Sequence, residues 1–284
     1  MPELPEVETV SRDLNRLVAG CRVTRVRVLC DAMLVGTTAR QLGRAVQGAV
    51  LREVARHGKV LILRFSSGYS LLVHFGMTGQ MYPVETGADL PDHTRTIFEL
   101  EDRRKLIHVD VRRLGGLELV STAHEAQARS LVGVGRDALT DLPSAAELSQ
   151  LLSRRTCSTK AFLLDQRRVA GIGNIYASEV LARARIAPDL PCDQLTTQQV
   201  RALRSAIRQV LGEAVRSRGT TVSDYRTGLG TPGRFQRRLR VYGREGRNCM
   251  RSGCSGTIVR LQQGQRSTYL CPVCQGLHRK SRQE

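Results

Sequence analysis

The chain has 284 residues, 41% of them hydrophobic and 4% aromatic, with 44 Lys+Arg against 26 Asp+Glu and a formal net charge of +18. That length holds two or three domains with cores of their own, and the charge points to nucleic acid, because each neutralised phosphate releases counterions. No apolar run approaches a transmembrane span and no basic amphipathic anchor suggests a membrane surface; without tryptophan, a broad aromatic base-stacking platform is excluded.

The chain opens Met1-Pro2-Glu3-Leu4-Pro5-Glu6-Val7-Glu8. Removal of Met1 would leave Pro2 as a secondary amine, with Glu3 beside it and Glu6 one helical turn on. A secondary amine attacks an aldehyde-level carbon to give an iminium ion, which has no N–H to lose and stays cationic. An amine nucleophile beside a proton-moving carboxylate is a covalent-catalysis arrangement, although a Pro-Glu start alone is also an ordinary acidic beginning. Val7, Val10, Leu14 and Leu17 predict a helix over residues 3–19, stopped at Gly20. No charged segment followed by an apolar one marks a secretory signal. The expected location is therefore the cytoplasm, with Cys21, Cys30, Cys157 and Cys192 reduced, as small buried side chains.

From residue 21 to about 120 the pattern predicts strands. Val23, Val26 and Val28, then residues 60–63, 70–73, 96–98 and 117–120 are β-rich runs with glycines between them, and runs apolar on both faces fit a sandwich. The pattern then turns helical. Ser144-Ala145-Ala146-Glu147 is a capping box opening a helix to about Arg155. Thr197 opens another, with Val200, Leu203, Ile207, Val210 and Leu211 on its inner face and Gly219 past its end. Between them, Gly171-Ile172-Gly173-Asn174-Ile175-Tyr176 joins a helix near residues 158–164 to one near 174–183. This bend reads either as an anion site at a helix N-terminus, suited to DNA phosphate, or as a tight connection only. Residues 217–233, rich in Gly, Thr and Ser, read as a long mobile loop.

Cys249, Cys254, Cys271 and Cys274 follow C-x4-C, sixteen residues, C-x2-C. Two close pairs, each spanning one edge of a tetrahedron, favour one structural Zn2+ over two disulfides or four buried thiols. Residues 257–261 and 266–270 read as the two strands of a zinc ribbon, joined by Gln262-Gln263-Gly264-Gln265. Four thiolates leave no open coordination position, so the metal folds the ribbon and makes no bonds to substrate. Residues 234–284 carry 12 Lys+Arg against 2 Asp+Glu, which concentrates phosphate-binding charge at this end.

An N-terminal Pro-Glu, a β-rich half, a helix–two-turns–helix segment and a C-terminal zinc ribbon together resemble the formamidopyrimidine-DNA glycosylases along essentially the whole chain. Residues 1–9 are similar to the family's opening signature. Gly173-Asn174-Ile175-Tyr176-Ala177-Ser178-Glu179 is similar to its helix–two-turns–helix motif, and residues 265–271 to its zinc-finger hairpin. The resemblance implies an enzyme that swings an oxidised purine out of duplex DNA, cuts the base from its sugar and cleaves the strand by β- and δ-elimination. It implies Pro2 as the nucleophile at C1′, Glu3 as the proton handler and Glu6 as a supporting residue. Lys59 would donate a proton in β-elimination, and Arg266 would grip phosphate and serve δ-elimination. DNA contacts are implied for Asn174, Tyr176, Lys160, Arg155 and His93. Met77 and Arg112 occupy the void-filling positions, although Met77 alone could be a core methionine. The family's usual D-P-R-R-F-G is D-V-R-R-L-G here, so Leu114 replaces an aromatic wedge that stacks better on bases.

The fold class expected is thus multidomain α+β: an N-terminal helix plus β-sandwich over residues 1–121, a hinge at 122–138, a helical domain with the lesion loop at 139–233, and the zinc ribbon at 234–284. The expected partner is double-stranded DNA containing oxidised bases or abasic sites, bound by a monomer associated with the bacterial nucleoid. An oxidised-pyrimidine glycosylase of the same superfamily and a catalytically silent damaged-DNA-binding protein are the alternatives.

Overall fold

In the computed structural model, which describes residues 2–276, the chain divides into two units, Met1–Val134 with Ala214–Gln236 and Gly135–Glu213 with Arg237–Glu284. The first begins with α1, Leu4–Val18. A reciprocal capping box starts it: Glu3 caps the amide of Glu6, and the Glu6 carboxylate accepts from the Glu3 amide at 2.8 Å, a device worth about 1 kcal/mol. Leu4, Val7, Val10, Leu14 and Val18 are buried along one face, each contributing roughly 2 kcal/mol.

The strands of this unit are β1 (Val23–Val28), β2 (Leu34–Val35), β3 (Leu51–His57), β4 (Val60–Phe65), β5 (Tyr69–His74), β6 (Gln80–Val84), β7 (Thr94–Leu100), β8 (Lys105–Val109) and β9 (Gly116–Ser121). They form a four-stranded sheet, β1-β7-β8-β6, and a five-stranded sheet, β2-β9-β5-β4-β3. All pairings are antiparallel except β2 with β9. The shared core joins Leu61, Leu63, Leu71 and Val73 of one sheet to Met81, Phe98 and Leu106 of the other, closed by α1. The sandwich expected from the sequence is therefore present. Sequence reading missed β3, β6 and β8, as well as α2 (Ala39–Val46). Charged residues interrupt β3, Pro83 interrupts β6, and α2 is signalled only by its Thr38/Gln41 capping box.

Contacts within the first unit bear on two of the expected segments. Residues 122–134 do not form a free hinge: Glu125 takes a two-pronged contact from Arg64 and a bond from Ser70, while Glu118 accepts from the amides of Arg129 and Ser130. Residues 214–236 pack with the sandwich unit rather than with the helices. The Thr220 amide donates to Glu6 at 2.7 Å, Arg218 reaches Asp13 at 2.5 Å, and Arg234 N bonds Ser217 O at 2.9 Å. The loop read as mobile is thus hydrogen-bonded to α1 and closed on itself.

The second unit holds α3 (Ala145–Ser153), opened by the expected Ser144/Glu147 box, then α4 (Thr159–Leu164), α5 (Asn174–Ala184) and the helical part of α6 (Thr197–Arg216) that precedes Ala214. Two short strands, β10 (Arg136–Asp137) and β11 (Val169–Ala170), pair in parallel beside the turns between α4 and α5. Gln166 staples those turns, donating to Leu164 O and Ile172 O and accepting from Gly171 N; Gly171 supplies the φ of +107° that the bend requires. The ribbon consists of β12 (Val259–Gln263), β13 (Arg266–Leu270) and α7 (Pro272–Gln275). Its ladder runs from Val259↔Leu270 to Gln263↔Arg266. The turn is therefore Gly264-Gln265 alone, with Gly264 at φ +58°: a two-residue hairpin draws Gln262 and Gln263 into the strand assigned two residues too early.

His108 on β8 is fully buried, and neither of its ring nitrogens nor the facing Thr96 hydroxyl has a hydrogen-bond partner. Burial holds its pKa down at about 4, against a partial upward pull from Asp110 and a small downward push from Arg95. With the folded value below the unfolded one, its stabilising effect is complete above about pH 6.5 and is lost as pH falls toward 4, about 3 kcal/mol in all. Urea titrations from pH 7 to pH 4 should therefore show His108→Phe losing less stability than wild type. Parallel pH curves would refute this.

Candidate nucleic-acid interface and metal centre

In the first unit Pro2 and Glu3 are buried at the head of α1. The Glu6 carboxylate, 1% exposed, links the Glu3 amide on one oxygen to the Thr220 amide on the other. Charge-assisted bonds of this kind are worth about 1.5–3 kcal/mol each. A Cβ on Gly219 would come within 2.9 Å of Glu6 Oε1, and Gly219 sits at φ +79°, so only glycine lets the loop reach this carboxylate. Tyr225 Oη adds bonds to Glu6 O and Arg218 O. The terminal residues are therefore held by a partner more than two hundred positions away.

Lys59 stands in the Gly58-Lys59 turn between β3 and β4. Arg56 braces this turn, its side chain 2% exposed, donating to Glu8 of α1 at 2.8 Å and to Gly58 O at 3.0 Å. Val60, the residue after Lys59, pairs with His74 at the end of β5; burial, and then the Lys59 ammonium, hold His74 below its ordinary pKa. His74 begins a loop, residues 74–79, that locks onto the loop 110–116. Thr78 Oγ1 donates to Asp110 at 2.5 Å and accepts from Arg112 N at 3.0 Å, while Gly115 N donates to Asp110 at 2.9 Å. A Cβ on Gly76 would strike the backbone of Leu114 and Gly115.

This lock brings three side chains together. Met77 is 41% exposed and Leu114 51%, so Met77 is not a core methionine, and Arg112 Nη1 rests on Met77 Sδ at 3.3 Å. His93, exposed and at φ +65°, lies at the same edge: its carbonyl accepts from Asp110 N, and its Nδ1 is 3.3 Å from Arg95. Both loops are held by the buried Asp110, which sequence reading did not single out although it opens the D-V-R-R-L-G segment.

In the second unit two expected DNA contacts turn inward. Lys160 is 2% exposed; its Nζ donates to Ser267 O at 3.0 Å and to Thr268 Oγ1 at 2.7 Å. The Tyr176 side chain is wholly buried, so it packs the core of α5 and only its amide belongs to the first turn of the helix. Asn174 Nδ2 also donates to Ser267 O at 3.0 Å, leaving its buried Oδ1 without a partner. Lys160 and Asn174 thus fix the residue after Arg266. Arg266 itself is exposed and lines a groove of about 550 Å3 with Arg155, Arg167 and Asp165. Glu179, five residues after Asn174 and also missed, is 3% exposed and accepts from the amides of Arg240, Val241 and Tyr242, each at 2.9 Å. Burial pushes its carboxyl up, and those three amides pull the other way.

The four finger sulfurs all lie within 4.8 Å of one another, with Cys249–Cys274 at 3.8 Å, Cys254–Cys271 at 3.6 Å and Cys254–Cys274 at 3.2 Å. A tetrahedron with Zn–S bonds of about 2.3 Å has edges near 3.8 Å, so the set fits one zinc. The Gly256 and Cys274 amides point at Cys254 Sγ and Cys271 Sγ, and a Cβ on Gly256 would press on Cys271 Sγ at 2.6 Å. The Gly256 amide, then the neighbouring thiols, draw the Cys254 thiol down to about 7.

A β-sandwich opened by Pro-Glu, a helix–two-turns–helix unit and a four-cysteine finger define the zinc-finger class of DNA-repair glycosylases. The profile of the formamidopyrimidine-DNA glycosylase N-terminal domain matches residues 1–117, that of its H2TH domain residues 134–226, and that of the zinc finger found in FPG and IleRS residues 248–276. The formamidopyrimidine-DNA glycosylase of Lactiplantibacillus plantarum is 37% identical over 98% of this chain and 100% of its own length, and that of Desulfitobacterium hafniense 39% over 97% and 100%. Lactococcus lactis Fpg in complex with abasic-site DNA superposes with a TM-score of 0.89 at 32% identity, over 96% of this chain and 99% of that one. The chain belongs to the formamidopyrimidine-DNA glycosylase family. Its finger carries one structural zinc.

Because each thiolate supplies one corner of the zinc site, Cys271→Ser should lose the metal and loosen the hairpin that carries Arg266. Metal analysis should fall from one zinc per chain toward none, with DNA binding falling alongside it. Retention of full zinc and full binding would refute the assignment.

Proposed function

We propose that this protein is a bifunctional DNA glycosylase and AP lyase that removes oxidised purines, 8-oxoguanine and formamidopyrimidines, from duplex DNA, acting as a monomer in the bacterial cytoplasm. The observation that carries the reading is the amino-terminal Pro2-Glu3, buried and held by the Glu6 carboxylate between its own helix and Thr220. A nucleophile is useful only when its approach is fixed, and the bonds around Glu3 support that reading. Lactococcus lactis Fpg complexes with abasic-site and Fapy-dG DNA support the substrate class. No helix among the described residues is long and apolar enough to cross a membrane.

In the reaction, the damaged nucleotide leaves the stack and Met77 and Arg112 enter the space it vacates, with Leu114 wedged beside them. Pro2 nitrogen attacks C1′ as the base departs; Glu3 then hands a proton to the sugar-ring oxygen as the C1′–O4′ bond breaks, which opens the sugar. The resulting iminium acidifies C2′; loss of that proton expels the 3′ phosphate, with Lys59 as proton donor. A second elimination expels the 5′ phosphate, served by Arg266. Arg155 and Asn174 steady the backbone, and His93 adds a contact at the probing edge. Lys160 reaches DNA only if its bonds to the hairpin open; otherwise it acts through Arg266. A second substrate class is favoured by one neighbour: Lactococcus lactis Fpg has also been captured with oxidised-pyrimidine DNA, at a TM-score of 0.88 and 32% identity.

Borohydride reduction on abasic duplex DNA tests the nucleophile. The expected crosslink maps to the Pro2 peptide, and Pro2→Gly should keep DNA binding while lowering lyase turnover by roughly a hundredfold or more. A crosslink on Lys59 would overturn the assignment, and none at all would favour the silent binder. For the probing loop, Met77→Ala should leave binding to undamaged duplex unchanged and slow single-turnover base release about tenfold. An unchanged release rate would remove Met77 from the void-filling role.

A further inference from the structure

Four of the eight cysteines lie outside the finger, and the sequence reads them as scattered and buried. The structure corrects this: only Cys192 of the four is buried, and Cys157 is exposed. Their Sγ atoms are 4.0 Å apart, although 35 residues separate them. The backbone builds this proximity. Ser158 and Pro191 form an antiparallel bridge, Cys192 N donates to Cys157 O at 3.0 Å, and Thr159 N donates to Leu190 O at 2.8 Å. Cys157 and Cys192 are therefore facing residues one step along that bridge. Facing hydrogen-bonded residues have Cα atoms about 5.5 Å apart, inside the range that a disulfide spans. From 4.0 Å the sulfurs have a short way to go to bonding distance.

The two thiols differ in what they meet. Cys157 opens onto the groove lined by Arg155, Arg167 and Arg266, where a peroxide can reach it. Cys192 is sealed beneath, and burial, followed by the nearby Cys157, pushes its thiol up to about 12. We propose that Cys157 and Cys192 are an oxidant-responsive pair, in which peroxide oxidises Cys157 and Cys192 captures the product as a disulfide. Hydrogen peroxide transfers one oxygen to the Cys157 thiol, giving a sulfenic acid and water. Cys192 sulfur then attacks the sulfenic sulfur; the S–O bond breaks and the hydroxide leaves with the thiol proton as a second water. Two thiols are oxidised by two electrons, and one peroxide is reduced to two waters.

The capture has a consequence for the groove, which rests on the DNA-binding reading above. Uncaptured, the sulfenic acid takes a second oxygen and becomes a sulfinic acid. That group is anionic at neutral pH and would sit among the cations assigned to phosphate. A disulfide adds no charge there and is reversed by a dithiol. Cys192 thus keeps the arginine groove cationic under oxidant.

The test uses the full-length, zinc-loaded protein and hydrogen peroxide. After treatment, alkylation and digestion, mass spectrometry should find a Cys157–Cys192 linked peptide that dithiothreitol releases, with the zinc retained. In Cys192→Ala, peroxide should add two oxygens to Cys157 and weaken duplex DNA binding about fivefold. Wild type and Cys157→Ser should keep their affinities through the same treatment. Linkage of Cys157 between molecules, a first disulfide among the finger thiols, or an unmodified Cys157 would overturn the pair. If the linked peptide forms but oxidised Cys192→Ala binds duplex as before, the protective role is overturned. Failure of the untreated protein to bind duplex at all would instead refute the DNA-binding reading, while the mass measurement still decides the pair.

Discussion

One buried carboxylate organises the amino-terminal end of this protein. Glu6 accepts the Glu3 amide and the Thr220 amide on its two oxygens, and it can do so only because α1 begins at Leu4 and Gly219 offers no side chain in its path. The helix start, the position of Pro2 and the course of residues 217–233 are consequently parts of one arrangement. Asp13 repeats the device two turns further on, taking Arg218 while Gly228 packs against its Cβ. Removing an acceptor of this kind leaves buried donors without partners, which costs more than the bond itself contributed.

A second carboxylate does the same for the loops at residues 74–79 and 110–116. Asp110 takes Thr78 on one oxygen and the Gly115 amide on the other, so two loops from different strands behave as a single rigid edge. Rigidity matters here because Met77 and Leu114 are apolar and exposed. An unsupported loop would fold such side chains back into the protein, and water would take their place. Leu114, Met77 and Arg112 thus stand together at one edge, the first two as exposed apolar side chains.

In the second unit, the metal, Glu179 and Lys160 divide the work of holding Arg266. Zinc closes the finger, Glu179 anchors the chain entering it through three amides, and Lys160 with Asn174 clamps Ser267 O beside the arginine. A ribbon this small has too little apolar surface to hold an arginine at a set position unaided. Placing the Lys160 cation inside, on a carbonyl and a hydroxyl, explains why a residue expected at the DNA surface is almost inaccessible.

Much was legible in the sequence because it is local. The Pro2-Glu3 amine and carboxylate, the four ligands Cys249, Cys254, Cys271 and Cys274, the Ser144/Glu147 box and the inner face of the helix from Thr197 follow from covalent spacing and helical period, which short segments carry in themselves. Three things belonged to the tertiary structure: that Thr220 meets Glu6, that Lys160 and Tyr176 turn inward, and that Cys157 faces Cys192. Each depends on strand register, or on which face of a helix another element covers, and side-chain periodicity leaves both open. The same limit applies to β3, whose charged positions hide a strand that only its pairing with β4 and its packing against α1 make stable. Local chemistry thus determined the amine-and-carboxylate start and the metal the finger holds; long-range packing decided which charged and sulfur-bearing side chains are presented and which are kept inside.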